Sequence, residues 1–181
     1  KIYGPSGLGI LYMKDKWIEK FLPYQGGGSM IENVEIANST YAKGYEKFEA
    51  GTPPIVQVIG LSASIDFLMS IGMKKIFKYE NELHDYAYDK LKSINNVEIY
   101  GNSKNKGSII SFNINGMHHN DVAILLDQQN IAIRSGHHCA QPLMKKLKIT
   151  GSARASFGIY NNKNDVDYFV DKINYIKKII Q

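Results

Sequence analysis

The 181 residues are 44% hydrophobic and 22% charged, with a mean hydropathy of −0.27; this is apolar mass for a packed core and lies outside the disordered regime. No run reaches the roughly 18 to 20 apolar residues of a membrane-spanning helix, and the single cysteine, Cys139, excludes an intramolecular disulfide framework. A formal charge of +5 arises from 22 Lys and Arg against 17 Asp and Glu, but the lysines are dispersed and no aromatic-interleaved basic stripe forms, so a solvated lysine surplus is favoured over a nucleic-acid surface.

The chain opens on Lys1-Ile2-Tyr3 rather than Met, with neither a charged leader nor an apolar signal core, which predicts the C-terminal part of something larger. Gly4-Pro5-Ser6-Gly7 is turn chemistry, and the apolar run 8–13 has strand length. Residues 14–22 read as a short amphipathic helix ended by Pro23, and Gly26-Gly27-Gly28 as a sharply turning loop. A second loop, Glu49 to Pro54, leads into a helix from 55 to about 71, with Thr52 as its expected N-cap and Gly72 as its stop. A helical period continues over 74–94. Strands are expected at 97–100, 108–114, 131–134 and 154–159, and helices at 119–129 and 164–180, with Asn120 capping the first of these two. Alternation of strands and helices from Val97 onward predicts an α/β layer domain, with the helices over 55–94 as its hinge to what precedes.

Cys139 lies in Arg134-Ser135-Gly136-His137-His138-Cys139. A lone cysteine is commonly a small buried hydrophobe, but two histidines and an arginine would favour a reactive thiolate if they are also close in space. Three consecutive zinc ligands at 137–139 would be poor geometry, so no metal is expected. With only two arginines beside so many lysines, Arg134 and Arg154 are expected where bidentate geometry matters. Arg154 is either an edge-strand arginine in water or a carboxylate clamp, and composition leaves both open. Thr52 and the Gly26 to Gly28 run could offer hydroxyl and backbone N–H donors to a phosphate, or could simply be a helix start and a loop.

Five segments, in order, carry a family resemblance: Lys1-Ile2-Tyr3-Gly4-Pro5-Ser6-Gly7, Gly26-Gly27-Gly28-Ser29-Met30, Phe48-Glu49-Ala50-Gly51-Thr52-Pro53, Arg134-Ser135-Gly136-His137-His138-Cys139 and Arg154-Ala155-Ser156. Together they resemble the second group of cysteine desulfurases, the SufS-like group of the class V aminotransferase superfamily, over essentially the whole chain. The resemblance implies an α/β fold class: the C-terminal part of a fold-type I enzyme dependent on pyridoxal 5'-phosphate. Residues 1–72 would be the end of the large cofactor-binding domain with its linking helix, and 73–181 the small C-terminal α/β domain.

The resemblance further implies that Lys1 carries pyridoxal 5'-phosphate and acts in catalysis, and that Cys139 is the persulfide-forming nucleophile. Arg154 would hold the substrate carboxylate. Arg134 is assigned to the substrate side and the cysteine loop, with His137 supporting that loop. Thr52 would reach the cofactor phosphate from the neighbouring subunit of a homodimer, with Gly27 and Gly28 near the shared site. The implied activity converts L-cysteine to alanine and passes sulfur to a SufE-like or SufU-like acceptor for iron–sulfur cluster assembly, in a cytoplasmic or organellar setting. A selenocysteine lyase and a non-catalytic docking module are the alternatives. The family's N-terminal half, with its ring-stacking histidine and pyridine-pairing aspartate, is not among these residues, so half a site is expected.

Overall fold

The computed structural model describes residues 2–101, 103 and 106–179. They form two compact units, Lys1–Ile71 and Gly72–Gln181.

In the first unit the expected strand over 8–13 does not form. A strand exists by pairing its backbone N–H and C=O groups, and among the described residues no strand pairs with this run. Ile10, Leu11 and Tyr12 are 75, 79 and 82% exposed. The helix expected over 14–22 contracts to a single turn, α1 (Asp15–Ile18), whose N-cap Lys14 contributes no side-chain hydrogen bond. A small antiparallel hairpin, β1 (Ile31–Val34) and β2 (Ser39–Tyr41), was not foreseen; it closes through the Glu35 N–H donating to the Asn38 carbonyl. A 3-10 turn at Gly44–Phe48 leads to α2 (Ile55–Ile71). That helix starts three residues after Thr52, so Thr52 is not its N-cap. Pro53 and Pro54 intervene, and the Ile55 N–H bonds the Pro53 carbonyl instead.

In the second unit α3 (Met73–Lys92) follows Gly72, whose φ of +97° is available to glycine at little cost. Four strands, β3 (Val97–Tyr100), β4 (Ile109–Ile114), β5 (Arg134–Gly136) and β6 (Ser152–Ser156), form one sheet in the order β3-β4-β6-β5, with every pair antiparallel. Helices α4 (His119–Asp127), α5 (Gln141–Leu147) and α6 (Lys163–Lys177) complete it. Side-chain alternation decides the faces. Ile110, Phe112, Ile114, Ala153 and Ala155 turn into a core with Leu83, Leu91, Val122, Val166 and Ile173, while Ser111, Asn113, Ser152 and Arg154 fall on the opposite face. Phe112 meets Phe169 of α6 edge-on at 5.9 Å, and Asn162 with Asp165 closes a capping box on α6.

Three sequence expectations shift here. The strand expected at 131–134 is β5, starting at Arg134, and the one expected at 154–159 is β6, starting at Ser152, because the ladder Arg134↔Arg154, Ser135↔Ala153, Gly136↔Ser152 fixes both ends together. β6 is therefore an interior strand, and Arg154 sits at its middle rather than on an edge. His118, not Asn120, caps α4, accepting a hydrogen bond from the Asn120 N–H. Among the described residues no single helix is long and apolar enough to cross a membrane.

Candidate active site

The β5–β6 pairing places Arg134 directly opposite Arg154. Like charges facing each other across strands repel, and among the described residues no carboxylate forms an ion pair with either. Arg154 is half-buried, and its Nε is sealed from solvent with no hydrogen-bond partner among the described residues. A buried donor left unpaired is costly. A guanidinium held this way on an interior strand can receive an anion.

Arg134 has a second role. Its Nη2 donates to Sγ of Cys139 at 3.4 Å, and Cys139 is exposed. A guanidinium thus stands against an exposed thiol. The segment expected as a loop is a tight turn between a paired strand and a helix. The Ala140 N–H returns to the His137 carbonyl at 2.9 Å, and α5 begins at Gln141 with proline in its first turn. Within that turn His138 and Cys139 both have left-handed backbones, at φ +56° and +60°, after Gly136 at +111°. Exposed His137 lines, with Cys139 and Arg134, an open concavity of about 570 Å³. A second cleft of about 360 Å³ beside α6 contains Asp165, already engaged in the helix cap.

His138 is set differently from its neighbour. Its Nε2 lies 2.9 Å from the Ser152 carbonyl and 3.0 Å from the Ser152 hydroxyl. Burial lowers the pKa of its imidazole below the ordinary histidine value, and the nearby Arg154 and Arg134 cations act in the same direction. On α4, His119 is buried, and burial followed by repulsion from His118 lowers its pKa too. Its ring lies where a Cβ on Gly151 would be, so only glycine admits it there. Asn120 Oδ1 accepts from the Ser135 hydroxyl at 2.9 Å, joining α4 to the strand that carries Arg134. Sequence reasoning took His138 only as one of two histidines beside the thiol and His119 only as part of a helix start, and it passed over Ser152, since nothing local marks a serine that will face His138.

The first unit brings two expected segments together. The Gly51 N–H donates to the Gly28 carbonyl at 2.8 Å, and a Cβ on Gly27 would stand 3.2 Å from Ala50 Cβ and from Gly51 N. The glycine run and the loop carrying Thr52 are thus held in backbone contact, and Thr52 is exposed. The turn at Gly4-Pro5 lies on α2, with the Pro5 ring against Gly60 and Gly4 against Leu61 and Ser64. Lys1 lies outside the described residues.

Residues 1–169 match the family model described as aminotransferase class-V. A probable cysteine desulfurase of Staphylococcus aureus (strain COL) is 45% identical over 179 residues, covering 98% of this chain and 43% of its own length. One of Halalkalibacterium halodurans is 49% identical over 167 residues, covering 92% and 41%. The crystal structure of the cysteine desulfurase CsdA of Escherichia coli, in its S-sulfonic acid form, superposes with a TM-score of 0.93 at 36% identity, over 99% of this chain and 45% of that one. The chain thus spans less than half the length of the relatives it matches.

Proposed function

From the premise that this chain belongs to the class V aminotransferase family, we propose that it supplies the sulfur-accepting part of a cysteine desulfurase dependent on pyridoxal 5'-phosphate. The activity is proposed for the polypeptide that also carries the remainder present in its relatives. The observation that carries the reading is the exposed Cys139 thiol 3.4 Å from Arg134, with Arg154 opposite Arg134 and its Nε unpaired. A nucleophile in the turn after β5 and an anion site on the adjacent strand β6 suit an amino-acid substrate whose sulfur and carboxylate must both be held.

The donor set of the first unit fits the phosphate end of the cofactor. Pro53 and Pro54 remove two amides ahead of α2, leaving the exposed Thr52 hydroxyl as the side-chain donor of that turn. Lys1 would hold the cofactor covalently and Thr52 would meet its phosphate, from the neighbouring subunit of a homodimer. When bound, pyridoxal 5'-phosphate supplies an electron sink at the substrate's α-carbon.

The chain's own groups do the rest. Arg154 fixes the carboxylate of L-cysteine by paired charged hydrogen bonds. The Lys1 amine takes the α-proton and later returns protons to the carbon frame. Cys139, as thiolate, attacks the substrate sulfur; an S–S bond forms, the carbon–sulfur bond breaks, and its electrons stay with the carbon that becomes the methyl of alanine. L-cysteine and one thiol thus give alanine and one persulfide, with no external oxidant. A SufE-like or SufU-like acceptor would then take the sulfur toward iron–sulfur cluster assembly.

The test uses that polypeptide loaded with pyridoxal 5'-phosphate. With L-cysteine, the parent should form alanine and Cys139 should gain the mass of one sulfur atom; the Cys139→Ala variant should retain cofactor and lose both. Undiminished alanine formation by Cys139→Ala removes the assignment.

A further inference from the structure

Cys139 and the residue before it both occupy the left-handed region, at φ +60° and +56°. Side chains with a Cβ resist that conformation, and two in succession persist only where the surroundings over-determine them. Apart from the Arg134 contact to the thiol itself, the only residue outside the turn that grips it by a side-chain hydrogen bond, among the described residues, is Ser152. Gly136, where β5 ends, is laddered opposite Ser152, and two residues on His138 returns to the same Ser152 through Nε2. Ser152 is 1% exposed on the interior strand β6, so the anchor cannot drift. Its carbonyl can only accept, so Nε2 carries a proton and donates it. Nδ1 is left buried with no hydrogen-bond partner among the described residues. An apolar side chain could fill this space without that cost, so the ring's contribution is directional.

We propose that His138 is a positioning residue for Cys139: tied through Nε2 to the Ser152 carbonyl and hydroxyl, it holds the left-handed turn in the geometry that presents the thiol to Arg134. The proposal rests on the reading of Cys139 as the nucleophile. Among the described residues the hydrogen bonds of the His138 ring go to Ser152, so it acts through the backbone of its neighbour.

The experiment compares His138→Ala, His138→Gln and His138→Leu with the parent in the full-length, cofactor-loaded polypeptide. It measures kcat and KM for alanine formation, the melting temperature, and the rate at which iodoacetamide alkylates Cys139 without substrate. Misplacing a reacting group by an ångström costs about 100-fold, so His138→Ala and His138→Leu should lose about 10- to 100-fold in kcat with KM within about 3-fold. Glutamine can place an N–H near the Nε2 position, so His138→Gln should recover to within about 5-fold of the parent. Parent-like kcat in a folded His138→Ala or His138→Leu overturns the proposal, as does a loss in His138→Gln equal to that in His138→Leu. If the parent makes no alanine, the desulfurase reading fails by itself and alkylation decides the positioning question. A rate shifted about 10-fold in His138→Leu and restored in His138→Gln supports it, on the same scale of misplacement, and equal rates throughout overturn it.

Discussion

At the scale of single residues the second unit separates two arginines that composition could not. Both stand out against the lysines of the chain, yet Arg134 is spent on the thiol and Arg154 is left with a buried, unpaired Nε. Their direct opposition across β5 and β6 makes each the other's electrostatic cost, which a bound carboxylate would relieve. Arg154→Ala is therefore expected to reduce kcat/KM for L-cysteine about 30- to 1000-fold, the loss of a charged bidentate contact, while the Cys139 alkylation rate stays at the parent's. Arg134→Ala should reverse the emphasis and change alkylation. Steady-state kinetics and alkylation run on both variants check this, and an unchanged kcat/KM in Arg154→Ala returns that residue to a structural role.

At the scale of elements, the site is held by what packs behind it. Gly151 leads into β6 and gives the His119 ring its space. A methyl there must displace the ring from α4 or the strand from its ladder. Gly151→Ala is expected to destabilise the second unit by about 1 to 3 kcal/mol, and His119→Ala combined with it should recover part of the loss, read from urea midpoints. The same histidines set a pH dependence. Burial holds the pKa values of His119 and His138 below the ordinary value in the folded state. The unfolded chain therefore takes up protons first as pH falls through about 6.5, so their contribution is complete above that pH and is lost below it. The urea midpoint should fall between about pH 7.5 and 5.5, and less steeply in His138→Gln; an equal slope would remove His138 from the account. How far these elements were legible follows from what fixes them. The helical periods of α3 and α6 and the alternation of β3 and β4 are local, and they appear in sequence to within a few residues of their ends. The starts of β5 and β6 are set by each other, fifteen or more residues apart, so propensity alone displaced both. α5 was passed over although Pro142 marks its first turn. The motif around Cys139 was legible as chemistry, whereas its anchor on Ser152 exists only once β6 lies beside β5.

At the scale of the molecule the two units differ in how far they satisfy their own surfaces. The second buries Leu83, Ala87, Leu91, Phe112, Val122, Leu126 and Ile173 to 2% exposure or less around one sheet. In the first, α2 is apolar on all sides, yet among the described residues only Leu68 of that helix is buried, and Val56, Ile59, Phe67 and Met69 stay 54 to 78% exposed. Such a helix is normally enclosed, and the strand-like run 8–13 has no ladder to join. Burial is the main favourable term in folding, and a unit that lacks it opens at low free energy while a well-buried neighbour does not. When these 181 residues are expressed by themselves, amides of α3, β4, β6 and α6 should exchange with solvent only through near-global unfolding. Those of 8–22 and the start of α2 should exchange orders of magnitude faster. With cofactor and L-cysteine added, no steady formation of alanine is expected, because Lys1 belongs to the poorly buried unit and reacting groups must be held to within about an ångström to work. Hydrogen exchange read by mass spectrometry, with alanine measured on the same preparation, tests both parts. Uniform protection across the two units together with sustained turnover would show that the first unit is complete in itself, and would overturn both the exchange pattern and the need for a remainder.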